Sequence, residues 1–185
     1  MLELGTQLPS FSLPDTTTGG AVDSSSLAGH VAVVAIVCNH CPYVKHIAKE
    51  LAAFGRDCLD KGAKIVAVSS NDVVTHPDDR PELMAQEALR VGYTFPYLYD
   101  ESQDVARTFR AACTPEFNVF GRDGKLAYRG RFDESSPGNR TAPSGSDVRA
   151  AVDALLSGKA PGSDQKPSIG CSIKWKPGKT PDYLR

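Results

Sequence analysis

The run VAVVAIVCNHCPYVKH, Val31 to His46, decides how this chain is read. Its first seven residues, Val31 to Val37, are apolar with no polar alternation, the pattern of a strand covered on both faces. Cys38, Asn39, His40, Cys41 and Pro42 follow at once. Beyond them Val44, Ile47, Ala48, Leu51, Gly55 and Cys58 recur at steps of three and four, which is a helix period. Pro42 suits a first helical turn, where its missing N–H costs nothing. Two cysteines therefore sit at a strand-to-helix junction, with Cys41 expected one turn into the helix.

Outward from this unit, strand and helix patterns alternate. Toward the amino terminus, Leu2 to His30 mixes Pro9, Pro14, Gly19, Gly20 and Gly29 with short alternating pieces, which predicts a small hairpin and loop ahead of the main sheet. Toward the carboxyl terminus come a strand over Lys64 to Ser69 and a polar stretch from Asn71 to Arg80. A helix follows over Pro81 to Val91, with Leu83, Met84, Ala88 and Val91 inward. A short strand at Tyr97 to Tyr99 and a helix near Gln103 to Arg110 lead to Cys113, Thr114, Pro115 and a strand over Glu116 to Phe120. The turn Arg122-Asp123-Gly124 then closes a hairpin with Lys125 to Arg129. Ser146 is placed to cap a last helix whose apolar face is Val148, Ala151, Val152 and Leu155, closed by Gly158. The order predicts an α/β fold with a central mixed sheet flanked by helices. Residues 1–158 form one domain. Residues 159–185 form a tail with six basic and two acidic residues, which the apolar group Ile169, Cys171, Ile173 and Trp175 should dock on that domain.

Composition excludes several classes. A chain of 185 residues with 41% hydrophobic and 23% charged residues is globular and of single-domain length. A net charge of -1 lacks the basic footprint of a nucleic-acid binder. No apolar run is long enough to span a bilayer, and the opening residues have no signal-peptide pattern, so a cytoplasmic protein is expected. Five cysteines, an odd number in a chain that can build a core, point to reactive or metal-binding thiols rather than a disulfide scaffold.

Cysteines separated by two residues at a helix start bring their sulfurs within reach of a small disulfide ring. The unpaired N–H groups and positive dipole end of the helix favour thiolate at the first of them. Cys38 is then the nucleophile and Cys41 the resolving thiol, which attacks a mixed disulfide on Cys38 and releases the partner. His40, between them and flanked by Asn39, is either a solvated loop residue or a group whose partial charge tunes the couple toward a more oxidising potential.

Gly5, Pro9, Phe11, Leu13 and Asp15, then Leu27 and Gly29, the buried strand, CNHC, the helix, and Thr114-Pro115 before a later strand resemble the thioredoxin-fold redoxins. The similarity is to the peroxiredoxin-like branch of the alkyl hydroperoxide reductase and thiol-specific antioxidant group. It runs from about Leu4 to Trp175, with CNHCPYVKH and SIGCSIKW as its markers. Taken alone, Pro115 reads as a trans proline opening an edge strand. The resemblance implies instead a cis-proline facing the cysteines, with the Thr114 backbone offered to an extended substrate chain.

The peroxidases of that group resemble one another in a Pro-x-x-x-Thr-x-x-Cys loop. Counted back from Cys38 the positions are Ala35 and Val31, and from Cys41 they are Cys38 and Val34. Arg129 or Arg131 could still steady a thiolate. Thioredoxins proper carry a Trp before the pair and a buried acid six residues ahead, where this chain has Val37 and Ala32. Thiol-disulfide exchange at Cys38 and Cys41 with no cofactor is therefore the expected activity. The expected partners are protein or small-molecule thiols and disulfides, with a thioredoxin-type electron donor. A thiol peroxidase is the alternative, and a non-enzymatic copper or zinc carrier using Cys38, His40, Cys41 and His46 is the second alternative. No second C-x-x-C pair supports a structural zinc site, so no metal is assigned. Cys58 reads as a buried hydrophobe. Cys113 is near enough to Pro115 to approach the site. Cys171 is either a third redox thiol or an apolar anchor.

Overall fold

In a computed structural model, which describes residues 1–184, the alternating pattern becomes one five-stranded mixed sheet with helices on both faces. A hairpin, β1 (Ser12–Pro14) and β2 (Ala21–Asp23), precedes β3 (Ala32–Ile36), the middle strand. Then follow α1 (Pro42–Asp60), β4 (Lys64–Ser69), α2 (Pro81–Val91), β5 (Tyr97–Tyr99), α3 (Asp104–Thr108), β6 (Cys113–Thr114), β7 (Glu116–Phe120), β8 (Leu126–Gly130), α4 (Ser146–Leu156) and β9 (Cys171–Ser172). The sheet order is β5-β4-β3-β7-β8, with β3, β4 and β5 parallel and β7 and β8 antiparallel. This is the thioredoxin fold.

Burial on both faces explains the unbroken apolar run of β3. Val31, Val33, Ala35 and Val37 enter the core beneath α1, α2 and α4, while Ala32, Val34 and Ile36 enter a second core closed by α3, Phe11, Leu13 and Leu27. Each side chain alternates faces, so a single polar substitution in this run would bury an unpaired group in one core or the other. The stripe of α1 is buried from Val44 to Cys58, and Cys58 is a packed core residue at 1% exposure.

Three local expectations are corrected. Leu83 points outward, because the inward face of α2 is set by Met84 and Ala88, spaced one turn apart. Ser146 is the first residue of α4 rather than its cap: Gly145, in a left-handed conformation, precedes the helix, and the Asp133 carboxylate accepts the Ser144 and Gly145 N–H groups at 2.7 and 2.6 Å. Cys41 is the residue immediately before α1, not one turn inside it.

Of the apolar tail residues expected to dock, Ile169 is exposed, whereas Trp175 packs partly buried against the second core. Ile173 is buried in the second core, and β9 pairs antiparallel with β6, placing Cys171 opposite Thr114. Gln103, fully buried, donates from Nε2 to the carbonyls of Ser70 and Lys174 at 2.6 and 2.9 Å and accepts the Lys176 N–H at 2.8 Å. Further back in the tail, Gln165 accepts the Arg129 N–H and donates to the Ala127 carbonyl, covering the free edge of β8.

Candidate active site

The end of β3 and the start of α1 hold the two cysteines, and the cis Thr114–Pro115 bond brings a second loop against them. Cys38 and Cys41 are both buried, and all five cysteines are free thiols. The Cys38 sulfur lies 3.4 Å from Thr114 Oγ1, and the Cys41 thiol donates to the Thr114 carbonyl at 3.3 Å. Thr114 thus meets both sulfurs, and the cis bond before Pro115 is the one the family resemblance implied, not the trans proline that the residues alone suggest.

Because α1 begins at Pro42, its unpaired amides serve both sulfurs. The Val44 N–H, in the first turn, faces Cys41, and the Cys41 N–H faces Cys38. The two thiols influence each other's protonation, so they titrate as a unit. Loss of the first proton is eased because the remaining thiol donates to the new thiolate, drawing Cys41 down to about 4. Loss of the second is opposed by that same bond, by burial and by the Asp79 carboxylate, which push Cys38 well up. Near neutral pH Cys41 is the thiolate and Cys38 keeps its proton.

Asp79 is the functional residue that sequence reading missed. A short 3-10 turn, Pro77–Asp79, delivers its carboxylate beneath the CNHC loop with no exposure to solvent. Oδ1 accepts the N–H groups of Asn39 and His40 at 2.7 and 3.0 Å, and Oδ2 accepts Asn71 Nδ2 at 2.8 Å. Oδ2 also pairs with His40 Nδ1 at 2.6 Å. That ring nitrogen is 3.7 Å from the Cys38 sulfur. Nδ1 carries one hydrogen, and the shorter contact to a carboxylate claims it. His40 therefore reaches Cys38 as part of an acid–imidazole pair rather than as a free imidazolium. Asn39 is held from three sides, by Asp79, by the Asp78 carbonyl at 2.9 Å and by the Tyr97 hydroxyl at 3.0 Å. The polar composition of residues 71–80 was visible in the sequence, but nothing local links position 79 to position 39.

The donor set also differs from the sequence-derived one. Cys38, His40 and Asp79 offer ligand atoms within 4.8 Å of one another, while His46 is not part of that cluster. Thiolate, imidazole and carboxylate together suit zinc. His76 lies against His40, the rings tilted by 38° with centroids 4.7 Å apart, and burial and the neighbouring His40 lower its pKa.

The remaining candidates separate by face. Along β6, Thr114 turns toward Cys38, so Cys113, one residue earlier, points to the other side of the strand, where burial and then Glu116 push its thiol up to about 12. Cys171, opposite Thr114, shares the face that meets the pair, and Cys41 helps hold its proton on. Arg129 is engaged elsewhere, its guanidinium donating to the carbonyls of Met1 and Leu2, and Arg131 is paired with Asp147 at 2.7 Å. Neither arginine hydrogen-bonds a sulfur among the described residues, though Arg131 borders the cavity beside Pro115. Beside Pro115, Tyr43, Phe132 and Ile169 border a cavity of about 180 Å³.

A family profile described as AhpC/TSA family matches residues 4–129. Among solved structures, the chain is similar to an uncharacterized conserved protein from Geobacillus kaustophilus at 47% identity and a TM-score of 0.94, covering 96% of this chain and 95% of that one. It is also similar to a hypothetical protein from Sinorhizobium meliloti 1021 at 42% identity and a TM-score of 0.93, covering 96% and 97%. A secreted Mycobacterium tuberculosis disulfide oxidoreductase shares the fold at 18% identity and a TM-score of 0.62, covering 78% of this chain and 96% of that one. No curated protein matches.

Proposed function

We propose that this chain, which belongs to the AhpC/TSA family, is a thiol-disulfide oxidoreductase cycling Cys38 and Cys41 between dithiol and disulfide. The observation that carries this reading is the placement of two buried thiols at the start of α1, both against Thr114, with the Cys38 sulfur 3.4 Å from its hydroxyl and the Cys41 thiol 3.3 Å from its carbonyl, next to the cis Thr114–Pro115 bond. Cys38, handing its proton to the Cys41 thiolate, attacks one sulfur of a substrate disulfide, forming a mixed disulfide and expelling the other substrate sulfur as thiolate, which takes that proton from Cys41. Cys41, deprotonated, then attacks Cys38 Sγ, closing the Cys38–Cys41 disulfide and releasing the second substrate thiol. One substrate disulfide is reduced as one protein disulfide forms.

The other residues hold this geometry. Asp79 fixes Asn39 and His40, so the loop between the sulfurs keeps its shape as the ring opens and closes, and the His40–Asp79 pair tunes the charge beside Cys38. Thr114 Oγ1 donates to the Cys38 thiolate. Pro115 and its neighbouring cavity receive substrate. A thioredoxin-type dithiol donor would return the pair to the reduced state.

One observation favours a second reading, a thiol peroxidase. The Thr hydroxyl missing from the loop ahead of Cys38 is replaced in space by Thr114 Oγ1 at 3.4 Å. The Cys38, His40 and Asp79 cluster likewise supports a zinc or copper carrier. The experiment that tests the main reading uses glutathione disulfide as oxidant. Wild-type protein should form a Cys38–Cys41 disulfide that dithiothreitol reverses, Cys41→Ser should accumulate a glutathione adduct on Cys38, and Cys38→Ser should lose turnover. Full turnover by Cys38→Ser would overturn it. Consumption of hydrogen peroxide no faster than by free cysteine would end the peroxidase reading, and elemental analysis of anaerobically purified protein decides the carrier.

A further inference from the structure

The tail strand is fastened against the active-site loop by features that a mere anchor does not need. Strand β9 places Cys171 opposite Thr114, on the face of β6 whose hydroxyl meets Cys38. Gly170 packs so closely on the Thr114 carbonyl that any β-carbon there would collide with it. On the other side, Gln103 and Asn71 grip Lys174, with the Lys174 N–H donating to Asn71 Oδ1 at 2.8 Å. Between these two clamps Cys171 sits opposite Thr114, whose carbonyl accepts the Cys41 thiol at 3.3 Å, and the Cys171 and Cys41 thiols influence each other's protonation. Cys38 and Cys41 are 1% and 0% exposed, whereas Cys171 is only half-buried. Three thiols thus run from the core to the surface.

We infer that Cys171 is a third redox thiol, which takes over the disulfide from the buried pair and presents it at the surface to an external dithiol. This rests on the dithiol cycle proposed above. After substrate reduction has formed the Cys38–Cys41 disulfide, the Cys171 thiolate attacks Cys41 Sγ. The Cys41–Cys171 bond forms, the Cys38–Cys41 bond breaks, and Cys38 leaves as thiolate, taking up the proton that Cys171 lost. No net oxidation occurs in this step; the disulfide moves outward. An external dithiol then attacks Cys171, and its two sulfurs end as a disulfide while Cys41 and Cys171 return to thiols.

The electrostatics give the relay a direction. In the reduced protein burial, and next the bond to Cys41, push the Cys171 thiol up to about 11. Oxidation of the pair removes the Cys41 thiolate, and with it both the hydrogen bond and the repulsion that hold the Cys171 proton on. Cys171 becomes a better nucleophile when there is a disulfide for it to attack.

The test uses the full chain, glutathione disulfide as oxidant, acid quench, iodoacetamide alkylation and linkage mapping by mass spectrometry. Wild-type protein should yield Cys38–Cys41 together with a Cys41–Cys171 species. In Cys38→Ser the Cys41–Cys171 bond should dominate, with a roughly tenfold loss of Cys171 alkylation. A Cys38→Ser protein carrying glutathione on Cys41 and an unmodified Cys171 would overturn the relay while leaving the cycle standing. A wild-type protein with no Cys38–Cys41 disulfide would overturn the cycle and the relay together. As a second measurement, Cys171→Ser should slow dithiothreitol reduction of the Cys38–Cys41 disulfide about tenfold, because the buried pair loses its surface outlet; an unchanged rate would overturn the relay.

Discussion

Replacing Asp79 with asparagine keeps the shape of the side chain and removes its charge, and the structure dictates two effects of opposite kind. The carboxylate serves Asn39 N–H, His40 N–H, His40 Nδ1 and Asn71 Nδ2, all at 2.6 to 3.0 Å and out of solvent. Hydrogen bonds to a buried charge contribute about 1.5 to 3 kcal/mol each, and an amide can still accept some of them, so Asp79→Asn should lose roughly 2 to 4 kcal/mol of stability. The second effect is on the thiol. Asp79 oxygen and Cys38 sulfur lie within 4.8 Å, and two unit charges at that separation repel by about 3.5 kcal/mol at an effective dielectric of about 20. Removing even a third of this repulsion, about 1.2 kcal/mol, raises the thiolate fraction roughly eightfold. The assay is a pH titration of ultraviolet thiolate absorbance in a Cys41→Ser background, which leaves Cys38 free of its coupled partner, alongside urea denaturation of the same proteins. A variant that is destabilised but whose Cys38 titrates unchanged, or at higher pH, would refute the electrostatic argument and leave Asp79 only a structural role.

Further outcomes follow from the same geometry. Glu116 is fully buried, and burial drives its carboxyl from 4.5 up to about 7 against a weak opposing bond from the Ala112 N–H. Between these values the unfolded chain ionises while the folded one keeps its proton, so stability should fall by about 3 kcal/mol as pH rises through that window and level off above it. Glu116→Gln should abolish that slope in urea denaturation at acidic and alkaline pH; an unaltered slope would assign it to another group. Gly170→Ala should lift β9 from β6 at a cost of roughly 1 to 3 kcal/mol, seen as faster limited proteolysis of the tail. Gln103→Ala should leave the Ser70 and Lys174 carbonyls and the Lys176 N–H without their shared partner, costing about 2 to 3 kcal/mol in the same denaturation experiment.

The elements carried by strong periodicity were legible in advance. The strand Lys64–Ser69 and the helix Pro81–Val91 fall where their patterns put them, because an unbroken apolar run and a three-four repeat each have one low-energy arrangement around a core. Helix boundaries and single side chains were less so. Leu83 fits an inward stripe on paper, but Met84 and Ala88 set which side of α2 meets the sheet. Cys41 was expected inside the helix, and its position as the preceding residue changes which sulfur the first amides serve. Arg129 was a reasonable partner for a thiolate until β8 carried it to the amino terminus.

What the chain order determined by itself is the chemistry available: two thiols spaced for a ring at the start of a helix, a threonine and proline before a later strand, and a fold whose sheet is buried on both faces. Local spacing encodes these, since neighbours in a chain remain neighbours in space. Tertiary structure decided what surrounds the sulfurs. Asp79 comes from 38 residues beyond the second cysteine and Cys171 from 130 residues beyond it, numbers that follow from their positions against Cys41. Contacts across such separations depend on how the intervening elements pack, and no periodicity in the sequence records them.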